Sequence, residues 1–162
     1  MARRPTTREK NDELDAVTDA VLLASRALVA VASRSIASVD EAVTLPQFRA
    51  LVVLDSNGGQ RRVGELAQEL RISPSTATRL CDRLVRKRLV RRDVDPTNRR
   101  EVAISLSSRG RDLVRTVTER RRVEIASIMS KVPPAQRATI VDALTAFRDA
   151  AGEDPSLQTV PW

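Results

Sequence analysis

Between residues 9 and 39 the apolar positions Leu14, Val17, Val21, Leu28 and Val31 recur at spacings of three, four and seven. That spacing puts them on one stripe of a long amphipathic helix, and the near-heptad repeat predicts a partner helix against the stripe. A second helical pattern follows in TLPQFRALVVLDSNGG, with Thr44 as cap, Pro46 early and Gly58-Gly59 as stop. RVGELAQELRI predicts a short helix with Val63, Leu66, Ala67 and Leu70 on one face. After a tight turn comes SPSTATRLCDRLVRKRLV, opened by Ser73 at the N-cap and by Pro74, whose missing N–H costs nothing there. Two short helices joined in this way read as a helix-turn-helix.

The period then switches from helical to alternating. LVRRDV and REVAISL predict two strands bridged by DPTN, a turn-forming quartet, and together they make a β-hairpin. Helix returns in SSRGRDLVRTVTERRRVEIASIMSKV, over about 109–131, with Leu113, Val117, Ile125, Ile128 and Met129 apolar. PPAQRATIVDALTAFRDAA predicts a last helix at 134–151. Residues 1–8 read as a disordered basic arm and residues 152–162 as a loose tail. The expected class is mainly α, one domain's worth of chain, with a small hairpin between its helices.

Charge narrows the choice of partner. The 28 basic and 21 acidic residues leave a formal net charge of +7. Residues 83–100 carry eight basic side chains against Asp93 and Asp95, nearly the whole excess in one short span. Such a span suits nucleic acid or an anionic membrane surface. The sequence has no histidine and no tyrosine, which excludes imidazole ligands, imidazole acid–base chemistry and any triad that needs histidine. No nucleophile stands beside a base, and no glycine-rich phosphate loop occurs, so an enzyme, a cofactor or a metal site is not expected. Cys81 is the single cysteine, which rules out an intrachain disulfide and suits a reducing compartment. The N-terminus lacks the apolar core of a signal peptide. AVLLASRALVAVAS is broken by Arg26 and flanked by Asp19, so a cytoplasmic chain with no membrane span is expected.

In the helix from Pro74, at about 100° per residue, Ala77, Leu80, Cys81, Leu84 and Val85 cluster on one side. Ser75, Arg79, Asp82 and Arg86 lie opposite, flanked by Thr76, Thr78 and Arg83. Hydroxyls bond phosphates or base edges, and arginine takes guanine bidentately, which is what a helix in the major groove requires. A solvated charged face explains the same residues equally well. The hairpin decides between them. Arg91-Arg92 and Arg99-Arg100 flank its turn, and arginine suits a narrow, negatively polarised minor groove.

The segments LPQFRALVVL, VGELAQEL and SPSTATRLCDRLVRKRLVRRDVDPTNRREVAISLSSRGRDLV resemble the MarR family of winged helix-turn-helix regulators. The resemblance implies a homodimer on double-stranded DNA, joined through its terminal helices (about 9–39 and 107–151) around a lobe at about 44–106. Leu14, Val21, Leu28, Ile140, Leu144 and Phe147 would then serve dimerisation. Ser73, Ser75, Thr76, Thr78, Arg79, Arg83, Arg86, Arg91, Arg92, Arg99 and Arg100 would face DNA. In the family's wing-tip Asp-x-Arg motif the match here is Asn98-Arg99-Arg100, so Arg100 inherits the groove-inserting role and Arg99 a supporting one. Asn98 cannot brace arginine by charge, which leaves Asp93 or Asp95 to do so. Arg88 stands where the family usually has glycine. A left-handed backbone there would cost on the order of 1 kcal/mol, offset by one more phosphate contact.

Many family members also bind a small aromatic anion between the dimer helices and the lobe. The corresponding cleft would draw on Leu28, Phe48 and Val114, although aromatic residues are only 2% and supply little for stacking. Thiol sensing is not expected, because Cys81 sits beside Leu80 and Leu84 on the inward face. ERRRVE, at 119–124, reads as a solvated helix face rather than a second DNA patch. The expected function is a transcriptional regulator, most simply a repressor, on a pseudo-palindromic operator. A sequence-tolerant architectural DNA binder uses the same charge, and a module for an acidic protein partner is a third reading.

Overall fold

A computed structural model of the chain describes residues 7–56, 60–94 and 102–152. In chain order these form α1 (Thr7–Ala37), α2 (Leu45–Ser56), β1 (Gln60–Arg62), α3 (Val63–Leu70), α4 (Pro74–Arg86), β2 (Val90–Val94), β3 (Val102–Leu106), α5 (Ser108–Ser130) and α6 (Pro134–Ala151). The mainly helical architecture and the hairpin agree with the sequence patterns. α1 begins at Thr7, so the last two residues of the expected arm, Thr7 and Arg8, are already helical.

α2 is the hub. Gln47, Phe48, Ala50, Leu51, Val52, Val53 and Leu54 are all buried, so the helix is covered on nearly every side, as a mostly apolar run should be. Around it pack Leu66 and Leu70 of α3, Cys81 and Leu84 of α4, Ile104 and Leu106 of β3, and Val114 and Val117 of α5. The N-terminus of α2 carries a reciprocal cap. The amide of Gln47 donates to Thr44 Oγ1 at 3.4 Å, and that of Thr44 donates to Gln47 Oε1 at 3.2 Å.

The hairpin is part of a larger sheet than the sequence indicates. β1 pairs antiparallel with β3, placing Arg61 opposite Ile104, and the strand order is β1-β3-β2. β3 is therefore the central strand, and it buries Ala103, Ile104, Ser105 and Leu106. Three polar residues, QRR, are too short to show an alternation, which is why β1 escapes a reading by period.

The last turns of α1 run antiparallel along α5. Arg34 bonds Glu124, and Arg120 Nη1 donates to Ser38 O at 2.9 Å. Val31, Ala32 and Ile36 are buried in this contact region, whereas Leu14, Val17, Leu22 and Leu23 earlier in α1 remain exposed. α6 buries none of its residues within the chain.

Candidate nucleic-acid interface

The N-terminus of α4 is built by Ser73. Its Oγ accepts from the amide of Thr76 at 3.2 Å and shares hydrogen bonds with the hydroxyls of Ser75 (3.1 Å) and Thr76 (2.8 Å). This cap, together with Pro74, starts the helix where the sequence places it. Ala77, Cys81 and Leu84 are fully buried and Leu80 and Val85 partly so, which fixes the rotation of the helix. Ser75, Thr76, Thr78, Arg79, Arg83 and Arg86 are consequently exposed on one continuous surface. Thr78 Oγ1 donates to Pro74 O at 2.9 Å, and Arg79 Nε donates to Ser75 O at 3.4 Å.

The basic span sorts into two groups. Lys87 turns inward: its Nζ donates to Gln47 Oε1 at 2.9 Å and to Ala42 O, so it anchors α4 to the cap of α2. Arg92 is ion-paired with Asp82, and Arg91 Nε donates to Ser105 Oγ at 2.9 Å and to Asp93 Oδ2 at 3.3 Å. Arg83, Arg86 and Arg88 make no ion pair among the described residues and remain exposed.

Asp93, expected to brace the wing-tip arginines, is occupied by other partners. Ser105 Oγ donates to its Oδ2 at 2.5 Å, on top of the contact from Arg91. The Ser105 hydroxyl, with Arg91 adding, holds this carboxyl below its ordinary value of 3.8. The other wing-tip residues singled out by the sequence, Asp95, Asn98, Arg99 and Arg100, lie outside the described residues.

Two arginines adopt left-handed backbone: Arg71 at φ 54° and Arg88 at φ 57°. The expectation for Arg88 holds, and the cost for a residue with a Cβ is about 1 kcal/mol. Arg71 is the unexpected one of the two. A helix stop followed two residues later by Ser-Pro is the signal for it, because the chain has to reverse between α3 and α4 in very few residues. Beyond Arg88, Ser107 Oγ donates to Arg88 O at 2.7 Å and accepts from the amide of Gly110 at 3.0 Å, locking the turn to the start of α5.

Cys81 is wholly buried, and burial pushes its thiol up to about 11, as the inward-facing reading requires. Phe48 and Val114, expected at an effector cleft, are each 1% exposed and belong to the core. A groove of about 280 Å³ opens instead among Leu45, Pro46, Arg49, Leu70, Ile72 and Leu80, between the start of α2 and the α3–α4 turn. Of the residues assigned to dimerisation, Leu14, Leu28, Leu144 and Phe147 are exposed, and Val21 and Ile140 are half-buried.

Comparison with known proteins follows the same outline. Residues 43–101 match the sequence signature described as MarR family. The fold is similar to the crystal structure of RV1404 from Mycobacterium tuberculosis, with 50% identity, a TM-score of 0.80, and coverage of 87% of this chain and 95% of that one. It is similar also to a MarR family protein from Bacillus stearothermophilus, at 25% identity and a TM-score of 0.74, over 92% of this chain and 100% of the other. An uncharacterized HTH-type transcriptional regulator of Bacillus subtilis, YsmB, is 37% identical over 81 residues, which are 50% of this chain and 55% of YsmB. Alignments with the curated relatives span between 55% and 64% of their length.

Proposed function

This chain belongs to the MarR family of DNA-binding transcriptional regulators, and on that footing we propose that it represses transcription as a homodimer seated on a pseudo-palindromic operator. The observation that carries the reading is the outward face of α4. Ser75, Thr76, Thr78, Arg79, Arg83 and Arg86 form one exposed surface of hydroxyls and guanidinium groups on a helix whose other face is locked in the core. Such a surface can bond phosphates and base edges together. MarR-family regulators are non-enzymatic, and α4 offers binding chemistry alone.

Dimerisation is supported by what the chain leaves uncovered. Leu14, Leu28, Leu144 and Phe147 are between 45% and 64% exposed. Burying each against a second copy would contribute roughly 1.5–3 kcal/mol. Residues Asn11–Ala37 form a helix long and apolar enough to cross a membrane by length and composition. Its final turns, however, pack within the chain, where Val31, Ala32 and Ile36 are buried. We therefore assign this helix to the space between subunits, in the cytoplasm beside DNA.

Arg100, with Arg99 in support, takes the minor-groove role. Arg100→Ala should lose more affinity for operators with A·T-rich flanks than with G·C-rich ones, since A-tracts narrow the groove, while Arg91→Ala should show no flank dependence. A small-molecule effector also belongs to the reading. The groove beside the α3–α4 turn, apolar apart from Arg49, suits a compact amphipathic anion.

Selection from a random duplex library followed by titration tests the whole. A regulator should prefer the selected duplex over its scrambled form by roughly a thousandfold or more at physiological salt. Comparable affinity for both would replace this reading with an architectural DNA binder, and no duplex binding at all would leave a protein-interaction module.

A further inference from the structure

α4 is bracketed by the two left-handed arginines. Arg71 lies two residues before the Ser73 cap, and Arg88 lies two residues after Arg86, the last residue of the helix. At φ 54° and 57° a Cβ is crowded against the following carbonyl, and glycine would sit there without strain. The fold thus keeps a long, charged side chain at the two positions around α4 that least favour one. Strain held at both ends of one functional element points to a role for the side chains.

Their surroundings point the same way. Both residues are exposed, and neither guanidinium has an ion pair or side-chain hydrogen bond among the described residues. Three other arginines of the lobe do: Arg61 pairs with Glu69, Arg91 with Asp93 and Arg92 with Asp82. The backbone at Arg88 is held by Ser107 through its carbonyl, and the amide of Arg71 donates to Gln68 O at 3.0 Å. In both turns the main chain is tied down while the side chain is left to solvent.

Spacing supplies the partner. The 13 residues of α4 span roughly 20 Å at a 1.5 Å rise per residue. The major groove of B-DNA is about 12 Å wide and is bounded on both sides by phosphates. A helix of that length lying in the groove brings its two ends close to the two bounding strands. We propose that Arg71 and Arg88 are a pair of phosphate clamps that seat α4 in the major groove of double-stranded DNA from opposite ends. The proposal rests on the DNA-binding reading of α4 and adds to it two residues outside the base-facing surface.

The test uses the full chain, a random-sequence duplex of about 30 base pairs, and a salt titration of affinity. Arg71→Gly and Arg88→Gly should each keep or raise the melting temperature, by up to about 4 °C, because the backbone strain is relieved. Each should also weaken duplex binding and flatten the slope of log K against log salt by about 0.9 for every phosphate no longer neutralised. Arg71→Lys and Arg88→Lys, which keep the charge, should retain most of the slope. Glycine variants with an unchanged slope, while the parent protein binds the duplex, would overturn the clamps and leave the DNA-binding reading standing. A melting temperature several degrees lower would overturn them too, by showing that these arginines hold the fold. A parent protein that binds no duplex at any salt would remove both readings together.

Discussion

Arg92 on β2 is ion-paired with Asp82 on α4, guanidinium Nη2 against carboxylate Oδ1, and the contact ties the β2–β3 pair to α4. The two side chains are 45% and 40% exposed, so the pair contributes about 0.2–1 kcal/mol to stability. Asp82→Asn should lose no more than that in urea denaturation. It should also raise affinity for random duplex and steepen the salt dependence, because it releases a cation and removes an anion from the DNA-facing side. A fall in affinity would mean that Asp82 aims Arg92 at DNA.

Arg79 and Arg86 lie two turns apart on the same exposed helix face. In the proposed complex Arg79, near the N-terminus of α4, reads bases, and Arg86, at its last turn, touches phosphate. Arg79→Ala should relax base preference within each half-site at a cost of about 1–3 kcal/mol, whereas Arg86→Ala should weaken all sequences alike and flatten the salt dependence. Uniform losses from both would make the helix a phosphate-binding element.

Leu144 and Phe147 lie on α6, 57% and 55% exposed. Replacing both with glutamate should give monomers in sedimentation that bind DNA poorly, with little change in the folding of the lobe. Wild-type protein that is monomeric at micromolar concentration, with full operator affinity, would contradict the proposed dimer.

At Gly110 there is no room for a side chain. A Cβ built there would stand 2.1 Å from the carbonyl oxygen of Leu89 and 3.1 Å from its carbon. That oxygen already accepts from the amide of Ser107 at 3.1 Å, so it cannot yield without breaking the turn. Gly110→Ala should lower stability by about 1–3 kcal/mol or more, read from the urea midpoint.

Cys81 should be chemically silent in the folded protein. It is 0% exposed, and burial raises its thiol from 9.0 to about 11. A thiol with a raised pKa stabilises the fold fully below 9.0, and that contribution is lost as pH rises through about 11. A thiol-specific reagent at pH near 8 should find no reactive cysteine in native protein and one per chain after unfolding. Rapid native labelling would revive a redox role.

The parts of the fold visible in the sequence are those written in periodic or capping signals. Ser73-Pro74 marks the start of α4, and the apolar set Ala77, Cys81 and Leu84 fixes its inward face, so the exposed set follows by subtraction. Arg88 is legible as a strained position. What escapes depends on neighbours distant in sequence. β1 is three polar residues that become a strand only because β3 offers a free edge. Lys87 counts in the sequence only as one of the eight basic side chains of residues 83–100, yet it reaches 40 residues back to Gln47. Asp93 reads as a brace for the wing tip, whose arginines lie outside the described residues; what the sequence does not show is the β2–β3 register that brings Arg91 opposite Ser105 and gives the carboxylate both as partners. Phe48 and Val114 read as walls of an effector cleft and are core instead, because apolar residues in a helix pattern do not reveal whether the space between them is filled.

α6 is an 18-residue helix with no fully buried residue. In proteins most helical stability comes from tertiary packing, and α6 finds little of it within its own chain, so its order has to be borrowed from a neighbour. In the proposed dimer the persistence of α6 then becomes a mass-action quantity, and the thermal midpoint should climb with total protein concentration. Under that coupling the abundance of the regulator sets more than how often its operator is occupied. A cell that dilutes the protein by division would also loosen its outermost helix, exposing it to proteolysis and so making scarcity self-reinforcing.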